Sequence, residues 1–436
     1  MNKLAIAPED HAAGRAMHDL IRRLFPICRS ITGDGTRETL AILCEHLPEL
    51  KIYDVPSGTK CFDWVVPNEW NIKSAQLINP AGDVVVDFAD HNLHVVNYSM
   101  PTNQELTLEE LQNHLHSLPG QPTAIPYVTS YYEPRWGFCM THKQRVELKP
   151  GTYRATIDSR LEPGSLSYGE LVIPGKTEEE IFVSTYICHP SMANNELSGP
   201  VVSIFLAKWL MGLGSRRYTY RFVFAPETIG ALAYLSSNLD HLKKNVRAAF
   251  NLTCLGDERC YSYLASRNGA TISDRIARHT LRHLIGDFAE YSFLDRGSDE
   301  RQYCAPGVDL PMATIMRSKY RTYPEYHTSL DNLDLVTPAG LADSYRLLQH
   351  CLFILETNRI YQTTTIGDPQ LGRRGLYTDF GDRKYGGDAK ARMDILAYAD
   401  GTATVLDIAE MIDMAAWDVQ RYSEELLSHG LLQLVE

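Results

Sequence analysis

The chain has 436 residues, 44% hydrophobic and 22% charged, with a net charge of −12; that is the composition of a soluble globular protein long enough for two or three domains. The acidic balance gives no electrostatic reason to bind a phosphate backbone or an anionic lipid surface. No run approaches the roughly 18 apolar residues of a membrane span, the start "MNKLAIAPED" breaks off before a signal-peptide core can form, and nine cysteines without a C-x-x-C pair fit a reducing cytoplasm better than a disulfide framework or a zinc ribbon.

Residues 9 to about 50 carry helical spacing, with Met17, Leu20, Ile21 and Leu24 on one face, then the polar turn "CRSITGDGTRE" with Thr36 as N-cap, then a helix from Thr39 to His46. Between about 55 and 165 the stretches "WVVPNEW", "AQLINP", "DVVVDF" and "YRATID" read as short strands separated by Pro, Gly and Asn turns. In "YYEPRWGF", Tyr131, Tyr132, Arg135 and Trp136 are either a lid over a substrate or packing of this β-rich module. From about 166 to 360 strand and helix patterns alternate: "EEIFVSTYIC", "SGPVVSIFLAKWLMGLG", "YTYRFVFAP", "IGALAYLSSNL" and "VRAAFNLTC". That alternation implies a largely parallel sheet flanked by helices. A Gly-rich stretch from Gly367 follows, and then "GTATVLDIAEMIDMAAWDVQRYSEELLSHGLLQLVE" reads as helix, turn, helix and strand, resembling a winged helix-turn-helix. Residues 365–436 hold seven Lys or Arg against thirteen Asp or Glu, a balance unsuited to DNA; oligomerisation or docking suits this segment better than a regulator's role. The expected division is an α/β domain of residues 1–55 and 166–362, a β-rich insertion of 56–165, and a winged helix of 363–436.

Ligands of open α/β sheets bind beyond the carboxyl ends of the strands, and the residues there bear chemistry. His189, Asn195 and Glu196 follow "IFVSTYIC", Glu227 follows "YRFVFAP", and Glu325, His327 and Asp331 lie in "YPEYHTSLDN". Imidazoles and carboxylates converging from several strand ends form a zinc ligand set. Each residue also has a plainer reading: the histidines as hydrogen-bonded loop residues, Glu227 as a cap of the following helix, Asp331 as the N-cap of a turn. Two other histidine pairs have weaker claims. His91 and His94 in "DHNLH" sit in a strand context that points the rings to opposite faces, and His279 and His283 share a solvated helix face without the Glu of H-E-x-x-H.

The segments "CHPSMANNELSGP", "FVFAPETIGALAYL" and "YHTSLDNLDLV", in this order, resemble the metal-site segments of the two-zinc aminopeptidase superfamily. More closely, the chain is similar to an uncharacterised bacterial aminopeptidase-like family with an inserted β domain and a C-terminal winged helix, often labelled as associated with polysaccharide biosynthesis; "LFPICRSITGDGTRETL" and "RGSDERQYCAPGVDLP" share the resemblance. It implies an α/β, three-layer aminopeptidase-like fold with His189 and His327 as metal ligands and Glu227 as general base. It also exposes departures. The bridging Asp of the superfamily falls on Asn195, its second metal-binding Glu on Thr228, and a further metal-binding Asp near Thr253. The expectation is therefore one Zn2+ held by His189, His327 and Glu196, with Asn195 and Glu325 as alternative ligands and Asp299 and Asp331 orienting a histidine. The expected activity is hydrolysis of an amide in a peptide or small substrate, without nucleic acid or membrane as partner. A catalytically silent scaffold is the rival reading.

Overall fold

The computed structural model describes residues 8–376 and 387–435. Residues 377–386 of the Gly-rich stretch lie outside it. The chain divides into two compact units, one of residues 5–274 and 289–345, the other containing 275–288 and 346–436.

In the larger unit an eight-stranded sheet carries the architecture. Its centre is parallel: Thr219–Ala225 beside Glu180–Tyr186, then Val246–Leu252, then Met312–Met316. Antiparallel strands Ser165–Ile173 and Lys51–Pro56 extend one side. The strand Glu180–Tyr186 is buried along its whole length, as a parallel strand covered on both faces must be, and this explains its unbroken "IFVSTY" run. The helix Ser198–Gly212 follows it and is buried nearly throughout. Gly199 is required there, because a Cβ would fall 2.3 Å from the Leu252 carbonyl oxygen. The amphipathic helix Pro8–Leu24 buries Met17, Leu20, Ile21 and Leu24, the face read from the spacing.

A separate four-stranded antiparallel sheet in the same unit orders Val84–Asp87, Glu69–Ile78, Thr152–Glu162 and Thr102–Thr107. It has its own apolar cluster around Leu77, Val86, Phe138, Tyr153 and Ile157. The smaller unit contains helices Asp388–Tyr398, Val405–Met411 and Ala416–Ser428 with a three-stranded sheet of Asp400–Thr404, Ile360–Thr363 and Leu432–Leu434, a winged helix. Among the described residues no helix is long and apolar enough to cross a membrane.

Three local expectations are corrected. The second helix begins at Asp34 rather than Thr39; Gly33, at φ 99°, makes the turn, and Thr36 is no N-cap but a buried helical residue whose hydroxyl donates to the Ser30 carbonyl. His91 and His94 are not on a strand: Asn92–His94 is a 3₁₀ turn, with the rings edge-on at 6.3 Å. His279 is not solvated. It is 4% exposed and its Nε2 accepts the Ala416 N–H in the smaller unit, so burial pushes its pKa down to about 4.

Candidate active site

His189, Glu196, Glu227 and His327 come together at the carboxyl ends of the parallel strands. His189 follows the strand Glu180–Tyr186, Glu227 follows Thr219–Ala225, and His327 lies in the loop after Met312–Met316. His189, Glu227 and His327 line a cleft of about 320 Å³ whose walls include Tyr127, Tyr131, Thr228 and Arg301, with Glu196 buried behind His189.

The two imidazoles lie 5.2 Å apart, ring to ring, and the Tyr127 ring covers both at 5.1 and 5.2 Å. His189 Nδ1 lies 2.6 Å from Glu196 Oε2, while its Nε2 lies 3.7 Å from Glu227 Oε2. A carboxylate on Nδ1 fixes the tautomer with the proton there and turns the Nε2 lone pair outward. Glu196 therefore does not stand where a third ligand beside Nε2 would, because 2.6 Å to the other ring nitrogen is a hydrogen bond. His327 stacks on Tyr326 at 3.9 Å, and its Nε2 is buried with no hydrogen-bond partner. Unpaired buried ring nitrogens are costly unless something comes to meet them.

The charges follow from burial. Burial alone would lower the pKa of His189, but the charge and hydrogen bond of Glu196, with Glu227 behind, raise it. Burial and the neighbouring His189 push His327 down to about 2, so its ring stays neutral. Burial raises Glu227 against the pull of His189 and Arg301. Arg29 is fully buried, donates from Nε to the His189 carbonyl at 3.0 Å, and places its charge near Glu196.

The remaining expected residues serve other ends. Asp331 orients no histidine: its oxygens accept the N–H groups of Asn194, at 2.5 Å, and Asn195, at 2.9 Å, and the Tyr323 hydroxyl at 2.9 Å. It thus holds the entrance of a π-helical turn, Ala193–Leu197, a rare geometry that often marks functional sites. Asp299 accepts the Thr228 N–H at 2.7 Å and touches no imidazole. Glu325 is not brought in, because both its oxygens pair with Arg259 at 2.7 Å.

Asn195, Thr228 and Thr253, where the chain departs from the pattern it resembles, are neutral, and Asn195 and Thr253 are bonded to each other although Asn195 Oδ1 is buried without a partner. Asn195 Nδ2 donates to the Tyr186 hydroxyl at 2.7 Å, and that hydroxyl lies 2.6 Å from Thr253 Oγ1. Thr253 donates in turn to the Asn195 carbonyl at 3.0 Å. Thr228 Oγ1 receives a hydrogen bond from Arg301. Several residues here hold a left-handed backbone, among them Thr228 at φ 66°, Cys254 at 51° and His327 at 56°. For a β-branched residue such as Thr228 that is a true outlier, and such strain concentrates at functional sites.

Sequence reasoning missed Arg29, Tyr127 and Arg301. Arg29 and Arg301 lie in "CRSITGDG" and "GSDERQ", segments that carry the family resemblance, so the signal was present there. The aromatic cluster divides: Tyr131 and Tyr132 line the cleft, whereas Trp136 stacks on His114 at 3.8 Å and joins the core of the β-rich sheet.

The central, mostly parallel sheet and its flanking helices form an aminopeptidase-like fold. A zinc aminopeptidase from Bacillus subtilis superposes with a TM-score of 0.58 over 81% of this chain and 96% of its own, at 12% identity, a likeness of fold. The chain belongs to the family described as a domain of unknown function, DUF4910, whose model matches residues 18–358, and a winged helix-turn-helix model matches 359–434. A Clostridium acetobutylicum protein, provisionally named a polysaccharide biosynthesis protein with an aminopeptidase-like domain, is 44% identical over 424 residues, covering 97% of each chain. A crystal structure of a provisionally named peptidase from the same organism matches at a TM-score of 0.92 and 43% identity over 98% of both chains.

Proposed function

We propose that this protein is a hydrolase of amide bonds that works with one zinc ion. The observation that carries the reading is the buried, unpartnered His327 Nε2 facing a cleft beside His189, whose own Nε2 is aimed outward by Glu196. A neutral imidazole held in that state is a ready metal ligand. His189 and His327 would hold the ion, and Glu227 is the carboxylate on the same side of the cleft. Zinc, when bound, polarises a carbonyl and lowers the pKa of water from 15.7 toward roughly 7.

The chain's own groups support the rest. Glu227 accepts a proton at Oε2 and passes it to the leaving amine. Glu196 fixes His189 in one tautomer, and Tyr127 shields both rings from water. The substrate is an amide in a peptide or small molecule, and the name of the Clostridium relative points to a step in polysaccharide biosynthesis. The winged helix is acidic, and docking or self-association suits it better than DNA.

The rival reading, a silent scaffold, is supported by the neutral network of Asn195, Tyr186 and Thr253, which carries no charge to attract a second cation although Asn195 Oδ1 is buried there without a partner. Purified protein assayed for zinc and against a panel of acylated amino acids and acylated amino sugars separates the two. Stoichiometric zinc with turnover of any panel member supports the hydrolase, and a folded, zinc-free, inert protein supports the scaffold.

A further inference from the structure

One cation in the cleft is not used by the one-zinc reading. Arg301 lines the same wall as Glu227 and His327. Its Nη2 donates to the Thr228 hydroxyl, and its Nε is buried without a partner. Among the described residues no carboxylate accepts a hydrogen bond from it, although Glu227 and Asp299 are near enough to feel its charge. Glu300 is otherwise engaged: it receives Tyr320 at 2.6 Å, Asn251 at 3.0 Å and the N–H groups of Gly297 and Ser298. Asp299 receives the Thr228 N–H on one oxygen and leaves the other buried without a partner, and Glu227 faces His189. In this half-buried guanidinium the buried Nε–H lacks an acceptor, a cost that an anion entering the cleft would relieve.

The position of this charge is informative. Thr228 matches the second metal-binding carboxylate of the two-zinc superfamily, so a guanidinium sits where an acidic group would otherwise draw a cation. An aminopeptidase needs an acidic acceptor for the free α-ammonium of its substrate, and here the neighbouring group is itself positive. Arg presents a planar fork of donors matched to carboxylate and phosphate oxygens. Nearby, Trp64 and Tyr132 meet edge-on at 5.5 Å and stand partly exposed on the cleft wall, offering an apolar face to a ring.

We infer that Arg301 makes the cleft selective for a substrate bearing an oxyanion, a carboxylate or a phosphate, beside the scissile amide, and not for a peptide with a free amino terminus. This rests on the hydrolase reading of the same site and names its substrate class.

The test is a binding titration of the full-length protein, as purified, by calorimetry or ligand-observed NMR with three probes. They are N-acetyl-L-tyrosine, which has a carboxylate and no amine; L-tyrosinamide, which has an amine and no carboxylate; and inorganic phosphate. N-acetyl-L-tyrosine or phosphate is expected to bind at least tenfold more tightly than L-tyrosinamide. Arg301→Gln should weaken the anion at least tenfold, and Arg301→Lys, which keeps the charge, should recover part of the loss. Which anion binds distinguishes a carboxylate-bearing from a phosphate-bearing substrate. L-tyrosinamide binding as tightly as the anions, no anion binding at all, or an Arg301→Gln protein that is folded and binds unchanged would overturn the inference. If Arg301→Gln does not fold, the order of the probes on the unaltered protein decides. Zinc measured on the same samples keeps the failures apart: zinc present without anion selectivity sinks this inference alone, whereas absent zinc sinks the hydrolase reading.

Discussion

The two halves of the candidate site differ in a way that divides their chemistry. On the side of His189 and His327, two imidazoles and one carboxylate face open space, and a buried ring nitrogen lacks any partner. On the side of Asn195, Thr228 and Thr253, neutral groups bond to Tyr186, to Arg301 and to one another. The first half leaves a ring nitrogen unpartnered beside the cleft, whereas the second is neutral and mostly hydrogen-bonded, with Asn195 Oδ1 buried and unpartnered. Two adjacent zinc ions repel, and carboxylates normally offset that repulsion. Replacing those carboxylates by an amide and two hydroxyls, with a guanidinium alongside, removes the offset and adds a positive charge. Under the proposed function, that difference is what limits the site to one cation.

Each half can be broken separately. The largest effect is expected on the open side: His189→Ala and His327→Ala should each release essentially all of the zinc, measured by elemental analysis after gel filtration. Retention of zinc in both variants would erase the contrast. Next is Glu227→Gln, which should keep zinc and folding while lowering any measured hydrolysis by about 10² or more. Loss of zinc in that variant would instead make Glu227 a ligand. On the second side, Asn195→Asp puts a carboxylate into a buried place among neutral partners and removes the donor to Tyr186. A loss of about 1–3 kcal/mol is expected, seen as a lower Tm that added zinc does not restore; rescue by zinc would mean that a second cation fits after all. The smallest effect is Tyr186→Phe, which leaves the Asn195 amide short of a partner and should cost about 1 kcal/mol with zinc content unchanged. A fall in zinc on losing this hydroxyl would show that the two halves are coupled.

Much of the architecture was legible in the residues because it is dictated by burial. The run "IFVSTY" is buried because the strand is covered on both faces, its Ser184 and Thr185 hydroxyls bonded to Tyr303 and the Leu252 carbonyl, and Gly199 marks where a helix meets the same carbonyl. The pairing of His189 with Glu227 and His327 was legible too, since all three follow strands of one parallel sheet. The role of Glu196 was not. Seven residues along the chain can place a carboxylate on either ring nitrogen, and only the π-helical turn held by Asp331 sets it on Nδ1. The partners of Asp299 and Glu325 were illegible for the same reason: Thr228 and Arg259 lie 71 and 66 residues away in sequence. His279 looked solvated because its helix spacing says nothing of Ala416, which buries it.

The measurement that bears most directly on a one-cation site is anomalous diffraction at the zinc edge from crystals grown with zinc in excess. One peak per chain is expected, within bonding distance of His189 Nε2 and His327 Nε2, with no density beside Asn195, Thr228 or Thr253. Two peaks a few ångströms apart, or a peak remote from both histidines, would contradict it.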